Sequence, residues 1–243
     1  MQPQAIVVLV LCALSSVDAI NWSVTDPSGS TCAILNAQSV NVKLNIDNGQ
    51  NGTDAISFAI NETRSITGNC NSKSGDEPAN LLEVSFFPNG ILPKSATEAQ
   101  EWRLFVWFGK GPEGFSFKLV DYVLETAPSP LFNSTTQNFT KAADAEVDIQ
   151  ASQTNAYKCS TTSLALITQS TIEFKDLNAI GLAKLDSPKF PENQGYDICT
   201  LDTRTSDIVP IVVGACLAGL VVVVLVAYLI GRARAKRQGY ASV

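Results

Sequence analysis

From Ile208 to Ile230 the chain runs for 23 residues without a charged side chain. As a helix rising about 1.5 Å per residue, this run reaches roughly 35 Å, enough to cross the ~30 Å hydrocarbon layer of a bilayer with some tilt. A core helix of a globular protein normally keeps one polar stripe, and this run has none. Pro210 falls in the first turn, where a missing N–H costs little. The sequence therefore predicts a transmembrane helix over 208–230, with the lipid bilayer as its partner. Gly214, Ala215, Ala218 and Gly219 are small enough to let a second helix approach, one route to a homo-oligomer; the lumenal part offers another.

Charge sets the orientation. Arg232, Arg234, Lys236 and Arg237 follow the span directly, which places the segment 231–243 in the cytosol. At the other end, 1–19 reads as a secretory signal. Ala5 to Leu14 is apolar but too short to span, and Val17-Asp18-Ala19 precedes the expected cut, although no Lys or Arg opens the segment. The expected arrangement is single-pass type I, with an outer segment of 20–207.

That outer segment holds every acidic residue but Asp18 and every basic residue outside the four after the span, so it is strongly acidic. An acidic surface disfavours nucleic acid and anionic lipid. The chain has no histidine, which removes the commonest general base and the commonest metal ligand. Acidic residues are scattered without an evident catalytic pair, so no catalytic residues, metal or cofactor are expected and the chain reads as a non-enzyme.

Cys12 lies in the signal and Cys216 in the span, leaving Cys32, Cys70, Cys159 and Cys199 outside. Four cysteines in a secreted context predict two disulfides, with three possible connectivities. Spacings of 38 and 40 residues favour sequential pairing, Cys32 with Cys70 and Cys159 with Cys199, each pinning one half of the domain. A zinc site would want a Cys-x-x-Cys step, which is missing. Asn-x-Ser/Thr acceptors stand at Asn21, Asn51, Asn61, Asn133 and Asn138; N-glycans there must lie on the surface.

Period-two alternation dominates the outer segment. Val40-Val42-Leu44-Ile46, Ile56-Phe58-Ile60, Leu82-Val84-Phe86 and Trp102-Leu104-Val106-Phe108 each place apolar residues on one strand face. Phe115-Phe117-Leu119 passes to Val120-Tyr122-Leu124 with a switch of phase, which predicts a bulge or a strand buried on both faces. Ser163–Ile167 and Thr171–Leu177 read as further strands, and Ser95–Glu101 is the one helical hint. Asp47-Asn48-Gly49, Pro88-Asn89-Gly90, Gly109–Gly111 and Thr126–Pro130 read as turns. The fold class is all-β, built of antiparallel strands in one domain with two disulfide-pinned halves, plus one C-terminal transmembrane helix.

After the span, Gly239-Tyr240-Ala241-Ser242-Val243 contains a Tyr-x-x-Φ pattern on a tail expected to be unstructured. Clathrin adaptor medium subunits read such a pattern as an added strand, with backbone hydrogen bonds for affinity and side-chain pockets for specificity. Tyr240 and Val243 would fill the two pockets.

The block Cys199-Thr-Leu-Asp202, Ile208 through Leu220, Ala227-Tyr-Leu-Ile-Gly-Arg232 and Gly239-Tyr240-Ala-Ser-Val243 resembles the lysosome-associated membrane glycoproteins. Tyr157-Lys-Cys159-Ser160 and the four-cysteine pattern extend the resemblance. It implies a β-prism lumenal domain, a role for Gly239 in routing to lysosomes, and residence in lysosomal and late-endosomal membranes with transient passage through the plasma membrane. It also implies a glycoprotein that shields and maintains the lysosomal membrane. The best-known members carry two lumenal domains joined by a Pro- and Ser/Thr-rich hinge, and this chain reads as having one. The alternative is a surface scavenger or adhesion receptor recycled by the same tail.

Overall fold

Alternating side chains assemble two β-sheets whose strands come from interleaved parts of the chain. The computed structural model describes residues 19–47, 53–88, 101–128, 132, 135–152, 154–203 and 208–239. The strands are β1 Ile20–Thr25, β2 Thr31–Ala37, β3 Ser39–Asp47, β4 Thr53–Ala59, β5 Thr63–Ser74, β6 Glu77–Phe86, β7 Trp102–Gly109, β8 Phe115–Glu125, β9 Asn138–Thr140, β10 Gln150–Ser152, β11 Ala156–Ala165, β12 Thr171–Ile180 and β13 Tyr196–Ile198. The first sheet runs β1-β2-β12-β11-β13, with β3 also on β12 and β4 on β3. The second runs β10-β8-β7-β6-β5, with β9 on β8. Pairing is antiparallel except for β11 with β13.

The two sheets share one apolar core. Val40, Val42 and Leu44 enter it from β3, Leu82, Val84 and Phe86 from β6, and Trp102, Leu104, Val106 and Phe108 from β7. Phe58 of the first sheet meets Trp102 of the second edge to face at 5.4 Å, and Phe86 at 6.1 Å. Such contacts add to plain area burial.

The expected division into two disulfide-pinned halves does not hold. The first sheet takes β1 to β4 from one end of the head and β11 to β13 from the other, because β12 pairs with both β2 and β3. Cys32 of β2 is bonded to Cys70 of β5, across the two sheets, whereas Cys159 of β11 is bonded to Cys199 just beyond β13. In the chain-entropy model each loop of this size contributes roughly 4 kcal/mol.

The phase switch in β8 is a bulge. Leu119 pairs with Phe108 and Asp121 with Trp107, so Val120 is the extra residue. Phe117, Leu119, Tyr122 and Leu124 thereby all face the core while the residues between them are half-buried. The bulge's polar groups are matched. The Lys141 ammonium donates to the Val120 carbonyl at 3.1 Å, and the Tyr122 N–H donates to the Asp121 carboxylate at 2.8 Å. Gly109 lies against the bulge; a Cβ there would come within 2.8 Å of a Val120 methyl.

β12 changes phase without an extra residue, its register with β11, β2 and β3 running on unbroken. Asp176 takes φ 48°, and the strand's buried set shifts from Ile172 and Phe174 to Leu177 and Ala179. The strand predicted over Ser163–Ile167 stops at Ala165. Ile167–Gln169 instead form a 3-10 turn in which Thr168 and Gln169 both take positive φ, which a strand cannot hold. The Asn45 amide secures that turn by donating to the carbonyls of Thr168 and Gln169.

Beyond the head, α1 covers Thr200–Thr203 and α2 covers Ile208–Gly239. The helix outlasts the predicted span and includes the positions of Arg232, Arg234, Lys236 and Arg237, so the tail is helical as far as Gly239 rather than unstructured. Ala, Arg, Lys and Gln are good helix formers, and a glycine is a common terminator. The signal expected at 1–19 lies outside the described residues except for Ala19. The helical hint at Ser95–Glu101 also lies outside them except for Glu101, as do Asn48, Gly49, Asn89, Gly90, Ser129 and Pro130 of the predicted turns.

Tyr122 links the sheets a second time: its hydroxyl donates to the Ala165 carbonyl at 2.7 Å. Burial, and secondarily the Asp121 charge, push this hydroxyl up to about 12. Unfolded tyrosine ionises near ~10, so the neutral folded form stabilises the head fully below that pH and loses the advantage as pH rises through the folded value. Tyr122→Phe is expected to cost about 1 kcal/mol at neutral pH, because the Ala142 N–H still satisfies the Ala165 carbonyl. In urea titrations, the gap between wild type and variant should narrow from pH 10 to pH 12.

Candidate functional site

Three kinds of local structure bear on function: the apolar helix, the glycan acceptors, and the stretch that joins the head to the helix. Within α2, Val212–Arg232 is a 21-residue apolar window with none of its side chains buried. Its backbone groups are satisfied within the helix, as hydrocarbon demands. A Cβ on Gly214 or Gly219 would meet open space, and Cys216 is a free, exposed thiol.

Asn21 is the second residue of β1, Asn61 lies in the link from β4 to β5, and Asn138 opens β9; all three are exposed. Strand geometry explains the presentation of two of them. In Asn21-Trp22-Ser23 and Asn138-Phe139-Thr140 the asparagine and the hydroxyl residue share one strand face. The aromatic between them turns into the core, where Trp22 is 1% and Phe139 6% exposed. The aromatic fixes the strand, and the acceptor pair faces water. Asn51 and Asn133 lie outside the described residues. In the tail, Gly239 is the last residue of α2, while Tyr240 and Val243 lie outside the described residues.

The sequence reading missed β13. Its Asp197 turns toward the protein, where the carboxylate accepts from the Ser152 N–H and the Asn155 amide, each at 2.6 Å. Burial alone would raise this carboxyl; the two donors outweigh it and hold it below the usual carboxylate range. Asp26 is also lowered, by the Ser28 hydroxyl and then the Ser30 N–H, in the turn between β1 and β2. Also unforeseen is a cleft of about 520 Å³ formed by Ser116, the Thr154-Asn155 turn and two parts of the 180–195 segment; Lys184 and Glu192 are its ionisable lining. It arises from loops, whose course carries no periodic signal.

A family model described as lysosome-associated membrane glycoprotein 2, transmembrane segment, matches residues 209–241. The chain is 29% identical over 226 residues to lysosome-associated membrane glycoprotein 1 of Gallus gallus, covering 91% of this chain and 47% of that protein. Against the Homo sapiens protein of the same name the identity is 28% over 236 residues, covering 94% and 48%. The chain thus spans about half the length of the curated relatives it matches. The membrane-proximal domain of mouse lysosome-associated membrane protein 1 superposes with a TM-score of 0.54 at 16% identity, covering 76% of this chain and 98% of that one. Human lysosome-associated membrane protein LAMP-3 superposes at 0.51 and 16%, covering 75% and 99%. These likenesses establish a shared fold for the head.

Each exposed acceptor should carry a glycan in cells that glycosylate secreted proteins. Asn21→Gln, Asn61→Gln and Asn138→Gln are each expected to remove one N-glycanase-sensitive increment of mass. The unfolding free energy of the deglycosylated head should change by no more than about 0.5 kcal/mol, as for other surface substitutions. An unchanged mass for any one variant would show that its acceptor is unused.

Proposed function

The chain belongs to the lysosome-associated membrane glycoprotein family, and we propose that it is a type I glycoprotein that shields and maintains the lysosomal membrane. In this reading the disulfide-linked β head faces the degradative interior, N-glycans cover its surface, and the segment after the span lies in the cytosol. The role is structural rather than catalytic. Late endosomes and, transiently, the plasma membrane lie on its route. The observation that carries the reading is the joining of a disulfide-linked head with outward glycan acceptors to a helix apolar on every side and followed by basic residues.

The head's chemistry suits an acidic interior. The chain lacks histidine, the side chain whose ordinary pKa lies between pH 5 and 8. Asp26 and Asp197 are lowered, so both remain ionised and hydrogen-bonded as the pH falls. The sign follows from linkage: a lowered carboxyl stabilises above its unfolded pKa, and that contribution is lost as pH drops through the folded value. The purified glycoprotein is therefore expected to keep its urea midpoint nearly constant from neutral pH to about pH 5 and to weaken only within and below the carboxylate range. A steep loss between pH 7 and pH 5 would contradict the proposed acid tolerance.

Delivery would rest on Gly239, Tyr240 and Val243. Bound to an adaptor medium subunit as a strand, Tyr240 places its ring in one pocket and Val243 its methyls in another. Tyr240→Ala is expected to move the tagged full-length protein from lysosomes to the cell surface, measured by surface biotinylation beside a lysosomal marker. Unaltered lysosomal delivery would remove the sorting role. The recycling-receptor reading is favoured only by the cleft, and wild-type protein found mainly at the cell surface would select it.

A further inference from the structure

Among the described residues the head exposes five large apolar side chains: Ile167, Leu182, Tyr196, Ile198 and Leu201. Three of them fall within 196–201, the stretch that leads toward α2. Their exposure is 38% for Tyr196, 54% for Ile198 and 64% for Leu201.

The local structure makes this exposure systematic. β13 is inverted relative to an ordinary surface strand. Its charged residue, Asp197, is turned to the protein and fixed by two donors at 2.6 Å. Successive side chains of a strand point to opposite sides, so fixing Asp197 directs both Tyr196 and Ile198 outward. The Cys159–Cys199 bond and the pairing with β11 hold the strand in place. Single exposed apolar residues are ordinary; a strand that hides its charge and shows its apolar pair is adapted to surroundings other than water.

The patch has the composition of a membrane interface. Phe190 packs on Tyr196 at 6.1 Å between ring centroids, and the Lys158 ammonium lies 5.6 Å from the Tyr196 ring. Aromatic rings with polar tips and lysines with apolar stems are the residues that settle at headgroup level. Covalent continuity supplies the proximity. Residues 202–207 join Leu201 to the first residue of α2, a path of at most roughly 25 Å even when fully extended.

We propose that Tyr196, Ile198 and Leu201 form an interfacial foot that rests in the headgroup region of the bilayer that α2 crosses. The inference depends on the membrane-spanning reading of α2 and is independent of the tail signal.

The test uses the full chain in phosphatidylcholine vesicles containing a minor share of phosphatidylserine. In a Cys216→Ala background, Ile198→Cys carries a polarity-sensitive fluorophore. The vesicles carry phospholipid spin-labelled near the headgroup. The control is the same label at Asp76→Cys in the exposed turn between β5 and β6. Resistance to carbonate extraction first establishes that α2 is inserted, so failure of the anchor and failure of the foot are separate results. The label at 198 should be blue-shifted and quenched several-fold more than the label at 76. Adding Tyr196→Ser and Leu201→Ser should abolish most of that difference while both disulfides persist. Equal quenching at the two sites would overturn the proposal. A blue shift without lipid quenching would also overturn it and assign the patch to a protein partner.

Discussion

Cys32 is the point on which the two sheets depend. Its sulfur is bonded to Cys70 of β5, and its carbonyl accepts from the buried Asn80 amide of β6 at 2.9 Å and from the Ala183 N–H at 3.1 Å. One residue of the first sheet is thus tied to two strands of the second and to the segment after β12. An unpaired amide at Asn80, which is 4% exposed, would forfeit its hydration for nothing; the bond instead makes the approach of the sheets specific. Nearby, a Cβ at Gly68 would collide with the Leu81 carbonyl and lie 2.6 Å from a Val24 methyl. β1 and β5 therefore meet at a distance that only glycine permits. The shared core follows from this closeness: Phe58 reaches Phe86 and Trp102 because the sheets are held together, and no strand from either half of the chain buries its apolar face alone.

Legibility in the sequence tracked how each strand is buried. β3, β4, β6, β7 and β8 alternate core residues with more polar or less buried ones, so alternation exposed them, and the phase switch at Leu119-Val120 marked a bulge. β2 went unread because Thr31 to Leu35 is buried throughout, which erases the period of two. β5 went unread for the opposite reason: Thr63 to Ser74 is mostly exposed, and it keeps its place by pairing with β6 and by the Cys70 disulfide, with only Ile66 and Cys70 packed on the core. The change of phase at Asp176 was invisible because an aspartate in left-handed backbone looks like any surface residue in a string of letters. The sequential spacing of the cysteines suggested two local loops, but spacing carries no information on which sheet each cysteine joins. The glycan acceptors were legible as motifs. Their outward orientation in β1 and β9 also follows from the aromatic between asparagine and hydroxyl, a signal the sequence itself carries.

The head and the anchor answer different solvents. In the head, three of the sites that break a ladder bring their own donors and acceptors: Lys141 and Asp121 at Val120, Asn45 at Thr168 and Gln169, and Asp26 between β1 and β2. That matching matters most where water is excluded. The apolar window of α2 has no such devices and needs none, since a helix pairs its own backbone. The division agrees with the charge map: acids are confined almost wholly to the head, and the residues directly after the span carry four basic side chains and no acid.

The continuation of α2 changes the mechanics of the proposed sorting signal. If Ile230 marks the end of the hydrocarbon, the nine further residues to Gly239 advance the chain by roughly 13 Å at the usual helical rise. A flexible tail of the same length would sample positions against the headgroups, where its basic residues are attracted. A helical spacer would instead lead the chain away from the lipid surface along one direction as far as Gly239. Gly239 is the last described residue of that helix, and glycine is a common helix terminator; the proposed adaptor would require the residues after it as an extended strand. In the proposed topology the basic residues would serve both as the anchor and as part of the spacer, because Arg and Lys are strong helix formers as well as cations. In the proposed arrangement, displacement from the membrane and presentation of the signal would both depend on the same short stretch, 231–239.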